Sequence, residues 1–422
     1  YNWTALHVVA LLWTLATMGG LYVIGRHLFS SRTGFIAALL YSLFQPAAAY
    51  KNLGFNGEQL MNLPIVWAWA IAFRSSGTKL RPELLGVGVL SCLAFLLKQP
   101  AAIAAVPLGL YFLLPNYRRD RGLTRGDCLL QFIVFTFGFF GCLGVAVIAL
   151  QHQGTLREAF YWTIQAHASS DFFVRRFVRN TLIFVAASLP LLLGAAWGRD
   201  LAWKERPAEW MGLVMLTVAS AIGAAAGGRF YSHYYIQLVP PLTLLAAPVY
   251  ARLSSREITG RRWFLHPAII SLWLVLTIVV FPMVKWRELA VRREPTELGK
   301  YLAEHAKPNE RLFVWGQMSR IYLEARMRPA CRYITTFALT GFIFGGPIPG
   351  ADTHDRILPG AWETLQEDFS RHPPAFIADT QVPGGAYTDD YAIADFPILN
   401  NLLAEKYLLV FQTAEGAVYR RR

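Results

Sequence analysis

Ten runs of apolar residues fill the first two thirds of the chain, roughly at 5–25, 33–50, 57–73, 83–97, 100–115, 128–150, 180–198, 208–226, 235–252 and 265–284. A helix rises about 1.5 Å per residue and a bilayer has about 30 Å of hydrocarbon, so each run is of spanning or near-spanning length. Residues 1–291 therefore read as an α-helical polytopic membrane domain with about ten transmembrane helices. From residue 292 the period changes. A helical pattern near 294–306 precedes the short apolar strand Arg311-Leu312-Phe313-Val314-Trp315-Gly316 and a helix over 318–325. A second buried strand is predicted at 374–379 and a helix at 397–405. A hairpin pairs 407–412 with 417–420 around Glu415-Gly416, and 341–360, rich in Gly and Pro, reads as a long loop. Alternating strand and helix of this kind predict a small soluble α/β domain over 292–422.

Composition agrees: 55% of the 422 residues are apolar, 13 are Trp, and only 16% are charged. The net charge of +13 would suggest nucleic acid until its residues are located. Most lie in short loops between apolar runs, where they orient a membrane protein instead. One set of alternate loops holds sixteen Lys and Arg, from Arg26 to Arg262, and the other seven, from Lys51 to Arg229. The richer set is expected in the cytoplasm. That puts Tyr1, the seven-charge loops and the tail outside, and predicts a preceding span upstream of Tyr1. The protein reads as integral to a membrane. Cys92, Cys128, Cys142 and Cys331 show neither zinc spacing nor a disulfide framework.

Chemistry concentrates where polar side chains enter the apolar pattern. The stretch from Gly227 to Pro241 sits between two apolar runs and carries Arg229, Tyr231, His233, Tyr234 and Gln237. An interfacial aromatic belt accounts for the tyrosines. Arg229, His233 and Gln237 stand at near-helical spacing on one face, where polar groups tend to line a cavity. Headgroup anchoring and a binding site are both open readings of this turn. Glu58, in the first turn after a short corner, is either a helix-dipole cap or a functional acid. Lys98, before Gln99 and Pro100, either snorkels or holds an anionic headgroup. The loop 151–180 interleaves aromatics with arginines as an interfacial helix does. Most of it needs no chemistry, while Arg175 and Arg176 are candidate phosphate contacts. Glu58 is the catalytic candidate, and Lys98, Gln99, Arg229, Tyr231, His233, Tyr234, Gln237, Arg175 and Arg176 are the substrate-binding candidates. No cluster of carboxylates suggests a metal, and no cofactor is expected.

These features together resemble the GT-C superfamily of polytopic glycosyltransferases, in the branch with protein mannosyltransferases and aminoarabinose transferases. The resemblance rests on Gly25-Arg26-His27-Leu28-Phe29 followed by Arg32-Thr33-Gly34, on Glu58 closing the second outer corner, on the Arg229-to-Pro241 turn, and on Phe313-Val314-Trp315-Gly316. It implies transfer of a sugar from a polyprenyl-phosphate donor to a lipid, glycan or protein acceptor on the outer face. It implies also that the family's catalytic aspartate lies upstream of Tyr1. Such a leaving group needs no nucleotide site, and no GxGxxG, Walker, HExxH or GxSxG motif occurs. Two other classes stay open: a transporter or flippase, for which related halves would be expected, and a non-catalytic membrane scaffold.

Overall fold

The computed structural model describes residues 3–46, 55–74, 81–165, 173–202, 206–253, 273, 295–342, 352–381 and 391–422. Apart from Trp273, the tenth predicted span lies outside these residues, as do Lys51 to Gly54 of the first corner. The chain divides into two compact units, Asn2–Trp286 and Arg287–Arg422.

The first unit is helical. In chain order the described helices are α1 (Trp3–Leu28), α2 (Ser31–Phe44), α3 (Gly57–Phe73), α4 (Glu83–Leu97), α5 (Ala101–Leu113), α6 (Pro115–Asp120) and α7 (Arg125–His152). They continue with α8 (Leu156–Phe160), α9 (Val174–Ala187), α10 (Leu189–Ala202), α11 (Pro207–Ala225) and α12 (Val239–Leu253). Among the described residues, α1, α7 and α11 are each long and apolar enough to cross a membrane. The predicted span 180–198 is instead a broken pair, since α9 and α10 meet at Ser188 with a 67° bend; counted as one, they make a fourth. The remaining predicted spans are shorter helices of 13 to 17 residues. Phe137, Val145 and Ile148 of α7 are about 70% exposed, an arrangement suited to lipid rather than water.

Small residues let the backbones meet. A Cβ at Gly88 would strike the carbonyl of Phe135, and one at Gly138 the carbonyl of Leu85, so α4 and α7 pack backbone to backbone. Gly25 and Gly34 do the same for α1 and α2. Between them Ser30 caps α2 by accepting the Thr33 N–H at 3.1 Å, which gives the Gly25-to-Gly34 segment a structural reason. Arg81, counted in the sequence as an orienting loop charge, is 1% exposed. It donates to the Ile71 and Ala72 carbonyls at 3.2 and 3.3 Å, closing the end of α3.

The second unit is a five-stranded sheet in the order β2-β1-β3-β5-β4. Its elements are α13 (Glu297–His305), β1 (Arg311–Trp315), α14 (Arg320–Glu324), β2 (Arg328–Pro329), α15 (Phe337–Thr340), α16 (Ala361–Arg371), β3 (Phe376–Asp379), α17 (Pro397–Lys406), β4 (Tyr407–Thr413) and β5 (Gly416–Arg421). β1 pairs in parallel with β2 and β3, and the β4–β5 hairpin adds antiparallel to β3. Alternation along β1 feeds two cores. Phe313 and Trp315 pack with Leu365 and Leu399 of α16 and α17, while Leu312 and Val314 pack with Leu298 and Ile321 of α13 and α14. Burial on both faces is why this strand reads as a continuous apolar run. Helix α16 is absent from the sequence prediction. Trp362, Leu365 and Phe369 nonetheless carry its apolar spacing, and Asp368 fixes it by accepting from Arg332 Nε at 3.0 Å and Nη2 at 2.9 Å.

Asp379, closing β3, is 5% exposed and accepts only the Gln381 N–H, at 2.9 Å, among the described residues. Burial raises its carboxyl to about 6, above an unfolded value of about 3.9. The folded state therefore favours the protonated acid. Its contribution is most favourable below about pH 4 and is lost as pH rises through about 6, a change on the order of 2–3 kcal/mol. Amide exchange of β3 should accelerate between pH 4 and 6 beyond the intrinsic rate, and Asp379→Asn should remove that excess. An unchanged pH profile in the variant would contradict the assignment.

Candidate active site

The site is assembled at the ends of four helices. The N-terminus of α3 is tied by Gln59, whose Oε1 accepts the Asn56 N–H at 3.1 Å. Glu58 thereby falls in the first helical turn, 2% exposed. Nearby, α4 stops at Lys98, whose backbone is extended, and Pro100 leads into α5. The Ala101 and Ala102 amides donate to the Lys98 and Gln99 carbonyls at 3.0 Å, making the corner tight. Lys98 then reaches across Gly57, where a Cβ would lie 2.8 Å from its Cδ. Its Nζ stands 3.2 Å from Glu58 Oε1. The other oxygen, Oε2, is buried without a hydrogen bond among the described residues.

The turn after α11 brings the aromatic part. Gly227, Gly228 and Phe230 all have positive φ (83°, 67° and 46°), a reversal that glycine adopts freely and phenylalanine only when held. It is held by α9 and the residue before it. The Phe173 N–H donates to the Gly228 carbonyl at 3.0 Å, Arg176 Nη1 to the Arg229 carbonyl at 3.2 Å, and Asn180 Nδ2 to the Phe230 carbonyl at 2.7 Å. A 3-10 helix, Ser232–Leu238, follows. With about three residues per turn, it does not put Arg229, His233 and Gln237 on one face, as the predicted helical spacing required. Tyr231 and Tyr234 are aligned instead, their rings 5.4 Å apart, and His233 stacks on Tyr231 at 5.5 Å.

Cations bracket this aromatic group. Lys98 Nζ lies 5.2 Å from the Tyr234 ring centre, and the Arg176 guanidinium 4.8 Å from that of Tyr231. Burial pushes the Tyr234 phenol up to about 12; Glu58 adds to the rise, while Arg229 and Arg176 oppose it. One constellation thus gathers Glu58, Lys98, Tyr231, His233, Tyr234, Arg176 and, through its charge, Arg229. Three candidates fare differently. Gln237 is 3% exposed and braces the turn, donating to the Tyr234 carbonyl at 2.9 Å with its Oε1 against Gly223. Gln99 contributes its carbonyl to the corner. Arg175 is exposed on α9.

The sequence reading missed Asn180 and Phe173, which hold the turn, and a second buried ion pair toward the opposite end of α5. There Arg121 Nη2 meets Glu209 Oε1 at 2.8 Å and donates to the Tyr111 hydroxyl at 3.0 Å, with the guanidinium 4.2 Å over Tyr117. An acid in the first turn of an apolar helix, as Glu209 is in α11, was the only signal for it.

The first third of the chain matches a known family profile, and the fold of the whole chain is similar to that of solved structures. Residues 2–140 match the profile of the dolichyl-phosphate-mannose-protein mannosyltransferase family. Among solved structures, ArnT from Cupriavidus metallidurans bound to undecaprenyl phosphate aligns with a TM-score of 0.56 at 13% identity, over 98% of this chain and 83% of ArnT. The oligosaccharyltransferase AglB from Archaeoglobus fulgidus, in complex with an inhibitory peptide and a dolichol-phosphate, aligns at 0.50 and 13% identity, over 99% of this chain and 63% of AglB. The A. fulgidus enzyme in its apo form aligns at 0.48 and 13% identity, over 89% of this chain. This chain spans only 58% of that structure. No curated protein matches the sequence.

The clamp on the turn is directly testable. Asn180→Ala leaves the Phe230 carbonyl without its donor, which should cost about 1–3 kcal/mol locally. Hydrogen exchange over residues 228–235 should accelerate while the α4–α7 pair is unaffected. Equal protection in variant and wild type would show that Asn180 does not hold the turn.

Proposed function

We propose that the protein is a membrane glycosyltransferase that moves a sugar from a polyprenyl-phosphate carrier to an acceptor hydroxyl at the extracytoplasmic face of a bacterial inner membrane. The observation that carries this reading is the bracketing of the touching Tyr231 and Tyr234 rings by Lys98 and Arg176, beside buried Glu58. The acceptor oxygen bonds to the anomeric carbon as the bond from that carbon to the phosphate oxygen breaks. The electron pair departs with the lipid phosphate, and the acceptor proton passes to a carboxylate. Lys98, Arg176 and Arg229 supply the positive charge that the departing phosphate needs. Glu58 fixes Lys98 through Oε1, and its Oε2, which has no hydrogen bond among the described residues, is the candidate to take that proton. The polyprenyl phosphates held by ArnT and AglB support a donor of this class. The acceptor is a lipid, glycan or protein, and membrane lipids surround the helices.

Orientation follows from the bias of sixteen basic residues to seven in alternate loops. Reporter fusions at Arg119 and Arg261 should register in the cytoplasm, and fusions after Arg293 outside. A cytoplasmic tail would reverse the placement of the site.

A charge-assisted contact to phosphate is worth about 1.5–3 kcal/mol. Lys98→Gln or Arg229→Gln should therefore lower transfer about 10- to 150-fold. Arg229→Lys should recover part of the loss, keeping the charge without the bidentate fork. Transfer from a polyprenyl-phosphate sugar in vesicles, with insertion verified, is the measurement. Glu58→Gln separates its roles: a positioning residue raises the donor KM, whereas a base lowers kcat. Wild-type transfer by both Gln variants of the cations, at limiting and saturating donor, would refute the site.

A further inference from the structure

The second unit contains a cavity of about 570 Å³, within the usual range of ligand sites, about 300–1,000 Å³. Its position follows from the topology. α16 leads into β3 and α17 leaves from it, so both helices begin at the edge where the parallel strands β1 and β3 end side by side, at Trp315 and Asp379. Open α/β sheets bind ligands outside that carboxyl edge. Trp362 and Phe396, at the starts of the two helices, stack at 5.5 Å and 23° and both line the cavity. Trp315 fixes them from beneath, 4.8 Å from Phe396, and its Nε1 donates to the Tyr391 carbonyl at 2.9 Å.

The polar part of the lining is rich in hydroxyls and carboxylates. The Tyr391 hydroxyl meets Thr353 Oγ1 at 3.0 Å. Asp352 and Asp395 stand at the exposed rim, where His354 Nδ1 engages Asp352 at 2.7 Å. Among the described residues, no Lys or Arg lines the cavity and His354 is paired with Asp352, so the described lining does not favour a phosphate or carboxylate ligand. Flat aromatic faces suit the C–H face of a pyranose ring, and carboxylates and hydroxyls accept from its O–H groups. We infer that this cavity binds a neutral saccharide unit, namely the acceptor glycan; the choice of a glycan acceptor rests on the transferase reading above.

The test uses the whole protein in lipid nanodiscs and ligand-observed saturation-transfer NMR. The probes are methyl α-mannopyranoside and methyl β-galactopyranoside, with choline as a cationic control. At least one glycoside should receive saturation on its ring protons. Trp362→Ala and Asp395→Ala should each weaken it about three- to tenfold, the worth of one such contact. Because Asp395 is exposed, its variant keeps the test valid if Trp362→Ala fails to fold. Lys98→Gln should bind the glycoside as wild type does. No signal with either glycoside, wild-type affinity in Asp395→Ala, loss of binding in Lys98→Gln, or binding of choline alone would each overturn the inference. The transferase reading is judged separately by vesicle transfer, so either can fail without the other.

Discussion

A buried carboxylate facing one ammonium group is the constraint around which the membrane unit is arranged. Removing Glu58 from water costs several kcal/mol unless a partner compensates. That partner, Lys98, comes from a different helix. The Lys98 stem then crosses the start of α3, where Gly57 leaves it room that a Cβ would narrow. The chain must also leave α4 in an extended conformation and restart at once, which Gln99-Pro100 provides. The ion pair, the glycine and the broken helix are thus one requirement expressed at three places in the sequence.

The two buried ion pairs near opposite ends of α5 differ in what surrounds them. Arg121 is enclosed by Glu209, Tyr111 and Tyr117, with side-chain exposures of 10% and 4% across the pair. Its Nη2 donates to both Glu209 and the Tyr111 hydroxyl. Lys98 is 26% exposed, and one face of its ammonium looks past Glu58 toward the tyrosines. Similar chemistry makes a joint between helices in one case and an accessible charge in the other. Exposure, which no residue pattern states, separates them.

Legibility of the chain followed physical range. Local patterns were readable: the run Leu312–Trp315, the hairpin at Glu415-Gly416 and the helix over 397–406 are each set by near neighbours. The site candidates Glu58, Lys98 and Arg229 were visible because charge is anomalous in an apolar context. Unreadable were features decided at long range. The break at Ser188 divides one apolar run into two helices, and a 3-10 geometry in place of an α-helix changed which side chains of the turn face together. Asn180 and Arg81 are ordinary polar residues in the sequence, and they become structural only through carbonyls that folding delivers to them. Helix α16 was obscured by its neighbour, the Gly- and Pro-rich segment before it.

Arg176 is held in place before any ligand arrives. Its guanidinium lies against Phe173 and Tyr231 and donates one N–H to the Arg229 carbonyl. A free arginine forfeits about 2 kcal/mol of rotamer entropy when it is fixed. Here that loss belongs to folding instead of to association, which is preorganisation in its thermodynamic sense. The planar fork has five donors, so anchoring one leaves others available for an anion. A lysine at this position could not combine the two tasks in that way, because its single ammonium would have to divide between the backbone and the ligand.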